Sequence, residues 1–297
     1  MTLRIKKTKK QEIGNNLIRK ESKRKIGIIG AGVMGTGIAQ TFVSFGFKVI
    51  LIDKNPKALN LATQKIRKEL LKTRHVIGKN RISANIKPTN NLNDLKNVDI
   101  VVEAIFEDAE AKKYLFKQLN GILTQETIIT TNTSSLSIDE LSTTIINPER
   151  FIGVHFFNPP LKMKLVEVIR SKKTSEATIQ KIDELLRQIN KMPIIIKDSP
   201  GFIVNRILMP YLNEAIWEFY EGIATAEDID TAAKFGLNHP MGPLALADLI
   251  GLDIVLTIMN NLYQKTRNSK YLPCPIIKKM VKEGKLGRKT KEGFYKY

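Results

Sequence analysis

The sequence predicts an α/β fold: a doubly wound sheet to about residue 198, followed by an all-helical C-terminal domain. Three observations carry that prediction. Short apolar runs recur through the first two thirds of the chain, the first ending at a glycine and the second at Asp53. The series opens with a β–α–β unit of roughly thirty residues, the connection that a parallel sheet requires. After Pro200 strand-like alternation gives way to helical periodicity.

The elements follow in order. Residues 25–29 (KIGII) form the first strand, 38–44 a helical segment, and 48–52 (KVILI) a second buried strand ending at Asp53. Asn55-Pro56 opens a long charged helix through Arg74, with Leu59, Ile66, Leu70 and Leu71 on a helical period. Further buried strands are expected at 98–105, 128–131, 151–157, 165–169 and 193–196, with Pro159-Pro160 dividing the fifth of these seven from its successor. Helices are expected at 203–220, 226–235, 244–259 and 274–282. The turn Lys197-Asp198-Ser199-Pro200-Gly201 marks a boundary between domains 25–198 and 199–297.

Composition removes several classes. The chain of 297 residues has one cysteine, Cys274, so neither a disulfide scaffold nor a Cys-rich zinc site is expected, and no metal is assigned. No run of 18 apolar residues exists, so no membrane span is expected. A reducing, cytoplasmic setting follows as the expectation. The net charge of +19 is large enough to suggest a nucleic acid, an anionic surface or an acidic partner. Residues 1–25 hold ten basic residues against two acids, a net +8. The stretch 1–24 therefore reads as a mobile basic leader; it has too few serines and arginines for an organellar transit peptide and no apolar core for a secretory signal.

Gly30-Ala31-Gly32-Val33-Met34-Gly35 fits G-x-G-x-x-G between a strand and a helix. Gly30 permits the tight turn, Gly32 lets a pyrophosphate approach the backbone, and Gly35 lets helix and strand pack closely. Asp53 lies 23 residues beyond Gly30, where a carboxylate takes the ribose hydroxyls. The pattern predicts a Rossmann-like dinucleotide domain. A carboxylate at 53 disfavours a 2′-phosphate and selects NAD over NADP, although Lys54 softens that preference; FAD shares the fingerprint without other support.

Three histidines are available, His75, His155 and His239. His75 lies in the charged helical stretch and His239 precedes a proline, so both read as surface or structural. His155 ends a strand, where ligands bind in doubly wound sheets, and an imidazole there can act as general acid or base or simply be a satisfied core residue.

The motif set resembles the L-3-hydroxyacyl-CoA dehydrogenase family, particularly its short 3-hydroxybutyryl-CoA type. The matching stretches are residues 30–40 (GAGVMGTGIAQ), 101–107 (VVEAIFE), 131–136 (TNTSSL), 155–169 (HFFNPPLKMKLVEVI), 198–206 (DSPGFIVNR), 240–244 (PMGPL) and 287–295 (GRKTKEGFY). They occur in family order across residues 25–297. The resemblance implies that His155 is the catalytic base, Glu167 its carboxylate partner, and Ser134 and Asn205 the groups that hold the substrate oxygen. It also implies that Glu107, Lys112, Asn132 and Asn158 serve the cofactor, beside Val33 and Met34 of the glycine loop. NAD is the implied cofactor, an acyl-CoA thioester the implied substrate, and a homodimer acting in fatty acid metabolism the implied assembly.

One position departs from the family. Its long helix carries a serine and lysines near the CoA nucleotide, and the serine aligns here with Glu69, among Lys65, Lys68, Lys72 and Arg74. That basic face suits CoA phosphates, an acidic acyl carrier protein bearing the acyl group, or solvent alone. A sugar-acid or carnitine dehydrogenase is a further rival, which residues 155–158 (HFFN) disfavour. A non-enzymatic NAD-binding protein would show damage to the His–Glu–Ser–Asn set, which is complete. Nucleic-acid binding rests on charge without a recognised motif, so no nucleic-acid partner is expected.

Overall fold

The computed structural model describes residues 24–72 and 85–297. The basic leader up to residue 23, Arg74, His75 and the side chain of Lys72 lie outside the described residues. The chain forms two compact units. One gathers the described residues up to 105 with Gly121–Thr130 and Asn158–Met163; the other gathers Phe106–Asn120, Thr131–Phe157 and Lys164–Tyr297.

In the first unit, strands β1 (Lys25–Ile29), β2 (Lys48–Ile52), β3 (Ile86–Thr89) and β4 (Ile100–Glu103) run parallel. β1 stands between β2 and β4 in register Ile26–Val49 and Ile26–Ile100. Ile, Val and Leu fill both faces of β1, β2 and β4, as a sheet covered on two sides requires. Helices α1 (Val33–Ser44) and α2 (Pro56–Lys72) pack on the strands of this unit and on each other. On α2 the buried Leu59, Ala62, Ile66 and Leu70 form one stripe, while Lys65, Arg67 and Lys68 are exposed on the other side.

The whole sheet has eight strands in the order β3-β2-β1-β4-β5-β6-β7-β8, where β5 is Ile128–Thr131, β6 Phe151–Phe156, β7 Leu165–Arg170 and β8 Met192–Lys197. The predicted α/β class is therefore correct, and within the sheet β6 and β7 pair antiparallel. Residues 157–164 are too few for a crossover, which needs a dozen or more residues. The crossover returns after β7, where α5 (Glu176–Gln188) leads to β8, parallel to β7. Between β4 and β6 lie α3 (Ala109–Asn120) and the short α4 (Ile138–Ser142).

The helical part of the second unit comprises α6 (Val204–Tyr220), α7 (Ala226–Gly236), α8 (Pro243–Ile250), α9 (Leu252–Thr266) and α10 (Pro275–Lys282). Met209, Leu212, Ile216, Leu252, Val255, Met259, Tyr271 and Ile277 build its core. The single helix expected at 244–259 is two helices meeting at 95°, because Gly251 takes φ +104 between them. Among the described residues no single helix is long and apolar enough to cross a membrane.

Two buried carboxylates tie this layer together. Asp230 accepts from Leu244 N and Ala245 N at 2.8 and 2.9 Å and from the Tyr295 hydroxyl at 2.8 Å. A side chain at Gly242 would collide with Asp230, so glycine is what admits the carboxylate to the start of α8. Asp248 accepts from Phe294 N, Tyr295 N and the Tyr297 hydroxyl at 3.0, 3.0 and 3.1 Å. Burial pushes the Asp248 carboxyl above its ordinary value despite these donors.

Candidate active site

In the first unit the chain leaves β1 at Ile29 and turns through Gly30 at φ +106, whose N–H donates to Ile52 O at 2.7 Å. A Cβ at Gly30 would strike Ala104 O, and one at Gly35 would strike Gly30 O, so backbone packing requires both glycines. Gly32 is different: nothing stands within 4 Å of the place a Cβ would take. Gly32 also caps α1 without a side-chain bond, and no acid occupies the first turn. Free N–H groups and the positive end of the helix dipole thus face open space, which fits a dinucleotide pyrophosphate. Val33 is exposed and Met34 half-buried beside it. Asp53 Oδ2 accepts from Ala31 N at 2.7 Å and Oδ1 from Asn55 N at 2.8 Å, so its carboxylate is held against the loop. Asn158 belongs to this unit as well.

In the second unit His155 on β6 and Glu167 on β7 are direct cross-strand partners, which puts both side chains on one face. His155 Nδ1 lies 2.8 Å from Glu167 Oε2. The other oxygen, Oε1, accepts from Ile203 N and Val204 N, each at 2.9 Å. Glu167 is 0% exposed. Burial pushes its carboxyl up, but the His155 bond and charge and the two backbone N–H groups outweigh that, leaving it below the ordinary carboxylate range. An ionised Glu167 fixes the proton on Nδ1, so Nε2 is left as the proton acceptor. The rings of Phe157 and Phe202 pack on the imidazole with centroids 4.6 and 5.8 Å away.

Glu107 organises the loop after β5. Its Oε1 accepts from Thr133 Oγ1 at 2.6 Å, Ser134 N at 2.9 Å and Ser135 N at 3.0 Å, with the Ser134 and Ser135 hydroxyls at 3.3 and 3.0 Å. Lys112, only 1% exposed, holds its ammonium 3.5 Å from Oε2. Burial again pushes the carboxyl up, and Lys112 with these donors brings it below its ordinary value. Asn132 Oδ1 accepts from Phe156 N at 2.9 Å, which ties this loop to the strand carrying His155. Lys265 on α9 donates to Ser135 O at 2.7 Å.

The structure thus brings together His155 with Glu167, and Ser134 with Glu107 and Lys112. Asn205 sits in the first turn of α6, directly after Val204, and is half-buried. Glu69 is half-buried and Lys65 and Lys68 are exposed. His239, expected to be a surface or structural residue, is exposed and bonded through Nδ1 to the Tyr211 hydroxyl at 2.9 Å. Sequence reasoning missed Thr133, Ser135, Phe202 and Lys265, and the backbone donors at 203 and 204. All of these except Lys265 lay inside stretches already singled out. Among the described residues no cluster of three or more His, Cys, Asp or Glu is placed to hold a metal ion.

A neutral imidazole backed by a buried carboxylate can take a proton from a hydroxyl and return it. The serine hydroxyls and Lys112 provide polar groups of fixed orientation. Such a set suits hydride transfer coupled to proton transfer at an alcohol carbon.

Residues 25–199 match the family model described as the NAD-binding domain of 3-hydroxyacyl-CoA dehydrogenase, and residues 201–297 match that of its C-terminal domain. The chain is 47% identical over 278 residues to a 3-hydroxybutyryl-CoA dehydrogenase of Clostridioides difficile, covering 92% of this chain and 99% of that one. It is 48% identical over 278 residues to a probable 3-hydroxybutyryl-CoA dehydrogenase of Deinococcus radiodurans, covering 92% of this chain and 100% of that one. The crystal structure of an (S)-3-hydroxybutyryl-CoA dehydrogenase from Ralstonia eutropha superposes with a TM-score of 0.89 at 44% identity, covering 93% of this chain and 99% of that one.

Proposed function

This chain belongs to the 3-hydroxyacyl-CoA dehydrogenase family, and from that premise we propose that it interconverts a short L-3-hydroxyacyl-CoA and its 3-oxoacyl-CoA with His155 as general acid–base. It is an NAD-dependent dehydrogenase. The observation that carries the mechanistic reading is the 2.8 Å bond between His155 Nδ1 and the wholly buried Glu167.

In the oxidation direction His155 Nε2 takes the proton of the C3 hydroxyl. Bound NAD supplies the acceptor for the C3 hydride. Glu167 holds the imidazole in the right tautomer and stabilises the imidazolium, the role of the carboxylate in a hydrolase triad. Ser134 and Asn205 hold the substrate oxygen as it becomes a carbonyl, and Glu107 orients Ser134 through the bonds described above. Asp53 and the glycine loop take the adenosine ribose and the pyrophosphate, while Lys112, Asn132 and Asn158 serve the nicotinamide end, as in the family. The exposed apolar side chains Ile207, Ile223, Phe235 and Leu237 support a homodimer built on the helical part. The single cysteine, Cys274, buried and not in a disulfide, fits a reducing compartment such as the cytoplasm.

The rival substrate is the same acyl group on an acyl carrier protein, favoured by the exposed Lys65, Arg67 and Lys68 of α2. NADH oxidation with acetoacetyl-CoA, measured beside acetoacetyl carrier protein, decides between them. Comparable or better turnover on CoA is the expected result; activity confined to the carrier would overturn it.

A further inference from the structure

We propose that Phe202 is a positioning residue for proton transfer: its left-handed backbone, together with its ring against His155, aims the Ile203 and Val204 N–H groups at Glu167. The inference rests on the His155–Glu167 reading above and adds to it the part of the chain that holds the pair in its working form.

Two consecutive N–H groups converge on one oxygen, Glu167 Oε1, at 2.9 Å each. They are free to do so because the first N–H groups of a helix have no partner within it. The chain reaches that point through two successive left-handed residues, Gly201 at φ +75 and Phe202 at φ +53. Gly201 takes this conformation without cost, and a Cβ there would meet Leu262 Cδ2 at 2.6 Å. A bulky aromatic residue in the left-handed region is an outlier that persists only where its surroundings dictate it. Here they do. The Phe202 ring is 3% exposed and packs on the catalytic imidazole at 5.8 Å, while its N–H donates to Ser199 O at 2.9 Å. The residue that touches His155 through its ring is thus the one whose backbone turns the donors toward Glu167.

The chemical consequence has a definite sign. The working form of the pair, neutral imidazole with carboxylate, is its more negative form, and N–H donors stabilise it. Withdrawing them raises the proton affinity of the pair as a whole. Among the described residues, His155 is the titratable side chain bonded to Glu167; β8 presents Ile194 opposite it, and α6 presents backbone.

The test is the pH profile of kcat/KM for oxidation, taken on the full chain for Phe202→Ala and Phe202→Gly, with Glu167→Gln alongside. Alanine keeps an L-residue's aversion to this backbone without the ring that enforces it, so the acidic limb moves up by about one pH unit and kcat falls about tenfold, with KM for NAD little changed. Glycine lacks the ring as well but accepts the left-handed turn, so its acidic limb returns most of the way to wild type. A packing role alone predicts the reverse order, since glycine fills no more space and loosens the chain further. A wild-type limb in Phe202→Ala, or a limb in Phe202→Gly displaced as far as in Phe202→Ala, overturns the proposal. Should both variants fail to fold, an amide-to-ester replacement at Val204 deletes one donor with every side chain intact. An unmoved limb there overturns the proposal equally. Glu167→Gln separates the two readings: wild-type turnover in it removes the pair itself, whereas collapse in it beside unmoved Phe202 variants removes only the positioning role.

Discussion

Glu167 and Asp230 each accept two consecutive N–H groups from the start of a helix, Ile203 and Val204 in one case and Leu244 and Ala245 in the other, at 2.8 to 2.9 Å. Both carboxylates are buried. They differ in the third partner. Glu167 meets an imidazole, the His155 ring, through Nδ1 at 2.8 Å. Asp230 meets the Tyr295 phenol, which burial and the neighbouring carboxylate push far above its ordinary value. Under the proposed mechanism a similar backbone clamp, with both donors on Oε1 in Glu167 and one on each oxygen in Asp230, serves a proton-transfer site in the sheet and a static tie among the helices. What distinguishes them is the partner: an imidazole, which the proposed mechanism uses to take and return a proton, against a phenol held protonated.

The largest effect that could break this contrast is on turnover. His155→Ala should lower kcat in the NADH-linked assay at least about a hundredfold while NADH affinity, followed by fluorescence titration, stays near wild type. Full activity would reduce the first clamp to a structural tie like the second. Asp230→Asn should act the other way: a loss of about 1–3 kcal/mol in urea unfolding, with turnover changed only a few-fold. A collapse of turnover in a well-folded Asp230→Asn protein would erase the distinction from the other side.

The smallest effect concerns pH. Glu167 is depressed in the folded state, so its contribution to stability is present above the unfolded value of about 4.3 and is lost as pH falls through the folded value. Tyr295 is raised, so its contribution is complete below about pH 10 and is lost as pH rises toward the folded value. Tyr295→Phe should cost about 1 kcal/mol and flatten the alkaline fall of Tm while leaving the acid fall in place. An unchanged alkaline arm would show that the phenol is not the titrating tie.

Most of the sheet was legible because a buried parallel strand is a short apolar run, and KIGII, KVILI and IIT at 128–130 are such runs. β3 was not, since in Ile86–Thr89 only Ile86 is buried and Lys87 and Pro88 face solvent on an edge strand. Helices α3 and α5 were also absent from the reading; their apolar stripes, such as Ile179, Ile182, Leu185 and Leu186, are brief interruptions in charged sequence. The break at Gly251 hid inside a continuous helical period. For the site, the glycine loop and Asp53 were legible from spacing, and His155 as a candidate. Glu167 and Asn205 emerged only from family resemblance, because a lone strand acid and a lone helix amide carry no signal of their own. The donors at 203 and 204 left no trace in the sequence, since a backbone N–H has no residue type. Lys265 was beyond reach for another reason: 130 positions separate it from Ser135.

The tail bonded to Asp248 has a consequence for biosynthesis. Its three partners lie 46, 47 and 49 positions further along the chain. A ribosome therefore delivers the aspartate, and the helix that carries it, well before anything exists to receive its carboxylate. During that interval the side chain must stay hydrated or protonated, and α8 cannot bury it in its final form. The order of translation makes the closing of this layer the work of the residues from Phe294 onward.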